Sequence, residues 1–255
     1  MRAAAGRPRR AVRLHVTGAS GYLGAELVRV SGASGERVEI RNAAAVEALF
    51  RRLRPDAIVH TAYRQHGEGA REITVAGAAN VARAAAAVGA RLVHLSTDVV
   101  FDGRLGRAYR EDDQLSPVTE YGRAKAEAEA RVLDAHPGAL LVRTSLIYGG
   151  ETPSKHELAA LDESNTFFTN EIRSPVQVGD LAAALLELAA LDVAGPLHVA
   201  GADAVSRHGF AELVAKRPVP AALAPQTRPL DCTLDSSRAQ AMVSTRLRGI
   251  REVLS

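Results

Sequence analysis

Gly18, Gly21 and Gly24 stand three residues apart directly after an apolar run over residues 12–17, and a helical pattern opens at Tyr22. No other feature restricts the chain as much. A turn this tight wants a residue without Cβ, its backbone must come close to a ligand, and the following helix must pack closely on the strand. The helix start then offers unpaired N–H groups and a partial positive charge to an anion. Glycine turns of this kind are common by themselves. At the head of alternating strands and helices, this one points to the pyrophosphate of a dinucleotide.

That alternation runs along most of the chain. Apolar strands are expected over 12–17, 57–62, 91–96, 140–145 and 197–199, with a strand remnant over 38–40. Helices are expected over 22–30, 43–53, 68–88, 120–135, 180–191 and 206–215; Gly89 and Pro137 act as stops and Ser206 as a cap. Apolar strands alternating with helices of this length predict an α/β fold, a doubly wound parallel sheet of Rossmann type. The segments 149–175 and 202–240, rich in Pro, Gly, Ser and Thr, read as a small C-terminal substrate lobe over the carboxyl ends of the strands. The expected division assigns 12–148 with 176–200 to an NAD(P)-binding domain and 149–175 with 201–255 to a substrate-binding lobe.

Composition narrows the function. The net charge of the 255 residues is +3, but Arg2, Arg7, Arg9, Arg10 and Arg13 supply +5, which leaves −2 on the remaining body. The basic character therefore belongs to an arm over 1–11, read as disordered, and a nucleic-acid groove across the fold is not expected. No apolar run approaches the roughly 18 residues of a membrane span; the longest candidate, 181–191, carries Glu187. One cysteine, Cys232, excludes an internal disulfide and a cysteine-built metal site, and fits a reducing, cytoplasmic setting. His15, His60, His94 and His198 lack metal-ligand spacing and read as core or edge histidines. The oligomeric state is left open, a homodimer among the options.

Tyr121 and Lys125 are four residues apart on an expected helix and share a face. A nearby ammonium favours the phenolate and can lower a phenol's pKa from about 10 by roughly 1–3 units, towards the range useful in general acid–base catalysis. Ser96 and Thr97 end the preceding strand, where a hydroxyl can hold a substrate carbonyl while the tyrosine protonates it. Thr97, Tyr121 and Lys125 thus form a candidate catalytic constellation placed by separate elements.

With the glycine turn, the stretch Ser96-Thr97-Asp98-Val99-Val100-Phe101-Asp102-Gly103 and the pair Tyr121–Lys125, the chain resembles the extended short-chain dehydrogenase/reductases, and among them the dTDP-4-dehydrorhamnose reductase group. The likeness covers most of 12–148 and returns at Arg173-Ser174-Pro175 and Arg228-Pro229. It implies reduction of the 4-keto group of a nucleotide-linked 6-deoxysugar, with NADP(H) or NAD(H) as cofactor. Tyr121 would donate the proton, Lys125 would tune it and bind the nicotinamide ribose, and Thr97 would hold the carbonyl oxygen. Gly18, Ser20, Gly21, Tyr22, Leu23 and Gly24 would cradle the cofactor, with Ala62 and Tyr63 lining it and Glu39 and Ile40 near the adenine. Asp98, Leu146, Arg173 and Arg228 would face the substrate, the two arginines as a bidentate diphosphate clamp.

Two departures from that pattern stand out. Only fourteen residues separate Gly24 from Glu39, which implies a trimmed second strand and leaves the choice between NAD and NADP open, with Arg37 and Arg41 as candidates for a 2′-phosphate. Leu146 and Val99 stand where the rhamnose reductases commonly carry aromatics, and 151–168 is divergent. These changes leave an alternative, a cofactor-binding regulatory subunit similar to the beta subunit of methionine adenosyltransferase.

Overall fold

The computed structural model describes residues 12–255; the arginine-rich arm lies outside the described residues. Five parallel strands form the central sheet in the order β1 (Leu14–Thr17), β2 (Ala57–His60), β3 (Arg91–Thr97), β4 (Leu140–Thr144) and β5 (Gly195–His198). Their side chains point alternately to two cores, which is why the strands read as unbroken apolar runs. Ile58, Leu92 and Leu141 face a layer made by α2 (Ala43–Leu53), α3 (Ala78–Ala87) and α4 (Glu120–Ala135), where they meet Phe50, Val81 and Val132. Val59, Val93 and Val142 face the opposite layer, where α1 (Tyr22–Ser31) contributes Leu27, and a later helix over Val178–Ala189 contributes Leu181 and Leu185.

The helix boundaries follow local chemistry. Asn42 caps α2 through the Ala45 amide, Thr119 caps α4 through Gly122, and Gln177 caps Val178–Ala189 through Asp180. The alanines of α3 keep that helix close against the sheet, since each adds little bulk at the contact. The expected helix over 68–88 starts later and carries a π-helical stretch, Glu72–Gly77, before α3. The histidines of the strands, His15, His60, His94 and His198, are all buried, and the described residues contain no cluster suited to a metal ion.

The expected strand over 38–40 does not form. Beside β1 the sheet is extended only by Ser34, which bridges His15 through Val16 N–H to Ser34 O (2.8 Å) and Ser34 N–H to Leu14 O (3.0 Å). The second strand is trimmed to that bridge because too few residues remain between α1 and α2 to build a rung-by-rung ladder. The chain still leaves β1 on the Ser34 side and returns on the other side as β2. Such a reversal opens a crevice at the carboxyl ends of the strands, the usual ligand position in this architecture.

The segments over 149–175 and 201–255 pair with each other. Val205–Ser206 runs antiparallel to Ile172–Arg173, and Ala221–Ala222 runs parallel to Phe167–Phe168. Two further helices, α5 (Lys155–Leu161) and the helix Arg207–Ala215, pack together there. No helix among the described residues is long and apolar enough to cross a membrane.

At the glycine turn, Gly18 has φ 77°, and a Cβ on it would lie 2.6 Å from Ala62 N. A Cβ on Gly24 would overlap the Gly18 carbonyl. Both contacts are with backbone, which cannot swing aside. Gly24→Ala is therefore expected to cost about 1–3 kcal/mol by overpacking, which thermal unfolding should read as a fall in Tm of roughly 2–4 °C per kcal/mol for a chain of this size. An unchanged Tm would show that α1 does not depend on this approach.

Candidate active site

The crevice is a cleft of about 960 Å³ whose wall includes Gly21, Tyr22, Leu23, Gly24, Thr97, Tyr121 and Lys125. A second hollow of about 330 Å³ holds Gly18, Ser20, Glu39, Ile40 and Ala62 in its wall. Gly21, Thr61 and Tyr63 border both, so the two read as successive parts of one trough along the glycine turn. The residues expected to hold a cofactor are thus gathered along this trough, although Leu23 and Ile40 are largely buried and offer it little more than an edge.

Two elements supply the expected catalytic residues in the main cleft. β3 ends at Thr97, and α4 places Tyr121 and Lys125 one turn apart on the face turned to β3. The Lys125 ammonium donates to Leu95 O at 2.6 Å and lies 5.2 Å from the centre of the Tyr63 ring, a cation–π distance. The Tyr63 and Tyr121 rings are 5.7 Å apart. Burial lowers Lys125 to about 8.

Tyr121 departs from expectation. Its phenol is pushed well above its ordinary value by burial first, with Tyr63 and Asp98 adding and the Thr97 hydroxyl opposing. The expected lowering by the ammonium is not seen, because Lys125 turns to the Leu95 carbonyl and the Tyr63 face, and desolvation of the phenolate dominates. A phenol in this state keeps its proton and is suited to donate it.

Asp98 follows Thr97 and is buried. Burial raises its pKa, opposed by Arg173 and by hydrogen bonds from Ser145 Oγ (2.6 Å) and Thr97 Oγ1 (3.2 Å). Its oxygens are occupied by protein groups, so it supports Thr97 more directly than it meets a ligand. Leu146 lines the cleft.

Of the two arginines expected to clamp a diphosphate, Arg173 lines the cleft but holds protein groups. Its Nη1 donates to the carbonyls of Ile172 (2.6 Å) and Leu230 (2.5 Å), its Nη2 to that of Pro229 (2.9 Å), and its Nε lies 3.7 Å from Asp98. That guanidinium is buried and spent on its own walls. Arg228 is half exposed, pairs with the buried Glu171 and stacks 5.0 Å over Phe168. Residues not singled out in the sequence complete the wall, Glu171 and Arg207 among them. Arg207 directly follows the expected cap Ser206, which was the one available signal that it opens a helix.

At the other end, Glu39 makes a bidentate pair with Arg41 (2.9 and 2.8 Å) and is held at about 2 by it. Tyr22 does not send its hydroxyl along the trough. It accepts from Gly150 N–H at 2.7 Å and so ties the glycine turn to the segment after β4.

A family model described as RmlD substrate binding domain matches residues 12–255. The chain belongs to this family, within the extended short-chain dehydrogenase/reductases. It is similar to a dTDP-4-dehydrorhamnose reductase of Mycobacterium tuberculosis, 35% identical over 282 residues that cover 96% of this chain and 92% of the relative. A solved dTDP-4-dehydrorhamnose reductase of Bacillus anthracis in complex with NADP superposes with a TM-score of 0.84 at 25% identity, covering 96% of this chain and 98% of that one. Methionine adenosyltransferase 2 subunit beta of Bos taurus is more distant, 28% identical over 78% of this chain and 69% of its own length.

The lowered Lys125 can be read directly. Lys125, Lys155 and Lys216 are the three lysines of the sequence, so a ¹³C-lysine NMR titration is assignable. One signal is expected to titrate near pH 8 and to vanish in Lys125→Met. A Lys125 signal that stays charged to pH 10 would show that its burial is not felt.

Proposed function

We propose that the chain is an NAD(P)H-dependent reductase of a nucleotide-linked 4-keto-6-deoxysugar, acting in the cytoplasm. The observation that supports this best is the convergence of Thr97, Tyr121 and Lys125 on one cleft beside the glycine turn. The trough fits a dinucleotide: Gly18 brings bare backbone against Ala62, and the adenosine-sized hollow continues past Gly21 into the main cleft. Residues 12–148 with 176–200 would hold the cofactor, and 149–175 with 201–255 the substrate.

The nicotinamide, when bound, supplies the hydride that reaches the carbonyl carbon. The remaining chemistry belongs to the chain. Tyr121 Oη gives its proton to the carbonyl oxygen as that oxygen gains charge, so the carbonyl becomes a hydroxyl and the tyrosine a phenolate. The Lys125 ammonium stabilises that phenolate and returns a proton towards it. Thr97 Oγ1 orients the carbonyl oxygen, and the Tyr63 ring shields Lys125 from water. Thr97 gives its one hydroxyl proton to Asp98 Oδ1 here, so holding the carbonyl requires that proton to turn from Asp98 to the ligand.

Arg37 supports a preference for the phosphorylated cofactor. In the wall of the smaller hollow Glu39 is matched by Arg41 and Glu36 by Arg52, whereas Arg37 has no ion pair among the described residues. It is the cation left to meet a 2′-phosphate.

Tyr121→Phe is expected to lower kcat by roughly 10²–10⁴-fold in reduction of a dTDP-4-keto-6-deoxysugar, while fluorescence titration shows NADPH binding nearly unchanged. Full activity in this variant would reject the mechanism. Arg37→Gln should weaken NADPH by about tenfold or more, the scale of one charged hydrogen bond, and leave NADH unaffected. Equal loss for both cofactors would remove the assignment of the 2′-phosphate to Arg37.

A further inference from the structure

The main cleft is lined by six cationic side chains and three carboxylates, an imbalance that suits a polyanionic ligand. Most of those cations are already engaged. Lys125 donates to Leu95, Lys155 to Gln65 Oε1 at 2.6 Å, Arg173 to three carbonyls, and Arg228 pairs with Glu171.

Arg207 differs. It is half buried in the cleft wall, yet it forms no ion pair among the described residues, and the side-chain hydrogen bond found for it joins its Nη1 to His156 Nδ1 at 3.2 Å. Burial lowers its pKa, and Arg173 and Arg228 act in the same direction against the pull of Glu171 and Asp98. A desolvated guanidinium among other guanidiniums, with most of its donors unspent, is costly unless a ligand supplies the missing anion.

Its position is firmly set. The backbone N–H of Arg207 donates to Glu171 O at 2.8 Å, and the preceding Ser206 is paired with Ile172. His156, the second residue of α5, is held near 3 by burial first and then by Arg207, Lys155 and Arg173. It therefore stays neutral and can accept from Arg207, fixing one edge of the fork while leaving the other for a ligand.

We propose that Arg207, oriented by His156, is the anchor for the diphosphate of the substrate and hence the residue that makes the cleft select nucleoside diphosphate over monophosphate derivatives. This rests on the reading of the substrate as nucleotide-linked. The planar fork matches two phosphate oxygens, and the half-exposed Arg228 flanks it. His156 acts through Arg207 as a positioning residue.

The test is isothermal titration of the NADPH-loaded protein with dTDP and dTMP. The wild type is expected to bind dTDP at least tenfold more tightly than dTMP. Arg207→Gln should erase most of that difference with an unchanged NADPH dissociation constant, and Arg207→Lys, which keeps the charge but loses the fork, should recover part of it. Arg207→Gln or Arg207→Lys protein that prefers dTDP as strongly as the wild type would overturn the anchor and leave the reductase reading standing. Wild-type protein that binds NADPH but neither nucleotide would overturn the nucleotide-linked substrate itself, and the anchor with it.

Discussion

The hydrogen bond from the Lys125 ammonium to the Leu95 carbonyl joins α4 to β3, and the geometry of the site follows from it. Removing an ammonium from water costs several kcal/mol, and one carbonyl with one aromatic face offsets only part of that. The uncompensated remainder is visible as the drop of Lys125 to about 8. With the helix held at this point, Tyr121 lies one turn earlier on the same face, and Thr97 lies two residues beyond Leu95 on the strand. Each of the three groups sits on or at the end of a regular element, Thr97 on β3 and the other two on α4. A site built on rigid elements keeps its alignment without help from a ligand.

The same desolvation acts in opposite directions on the two titrating partners. It raises the Tyr121 phenol and lowers the Lys125 ammonium, so burial favours the neutral form of both. His60 and His94 behind them also stay neutral, since burial and the Lys125 charge both hold them low. A proton donor and an unneutralised ammonium therefore sit above a layer that contributes no charge of its own. The charge that does bear on Tyr121 is Asp98, and it works with burial to keep the proton on the phenol until a ligand takes it.

Much of this arrangement was legible from sequence because it depends on local signals. The boundaries of α2 and α4 match expectation to the residue: Asn42 and Thr119 supply caps, and Pro55 and Pro137 follow the stops. Helix periodicity puts Tyr121 and Lys125 on one face and Thr97 ends its strand, but only the packing of α4 on β3 brings the two together. The failures are long-range in origin. A strand remnant is read at 38–40, but the chain pairs with β1 only through Ser34, because the segment leaving α1 reaches the sheet there first. Spacing alone predicts that the lysine lowers the phenol, and only the fold reveals that the Leu95 carbonyl claims that lysine.

The arginines show the same limit at the level of function. Arg173 and Arg228 drew attention because they stand in recognisable motifs, but a motif does not tell which residues hold the wall and which face the ligand. The Ser96 to Gly103 stretch illustrates this. Phe101 stacks on Tyr109 at 4.1 Å, and the Tyr109 hydroxyl donates to Asp102 at 2.8 Å while accepting from Gly103 N–H at 3.0 Å. That half of the motif braces the loop, and only Ser96 to Val99 reaches the cleft. Arg173 belongs to the bracing class too, because the bridge between Ile172 and the 229–231 segment surrounds it with carbonyls. The separate pairing between 172–173 and 205–206 brings Arg207 to the cleft with its donors unspent. Long-range pairing thus occupies one guanidinium and frees another, a division that no spacing along the chain encodes.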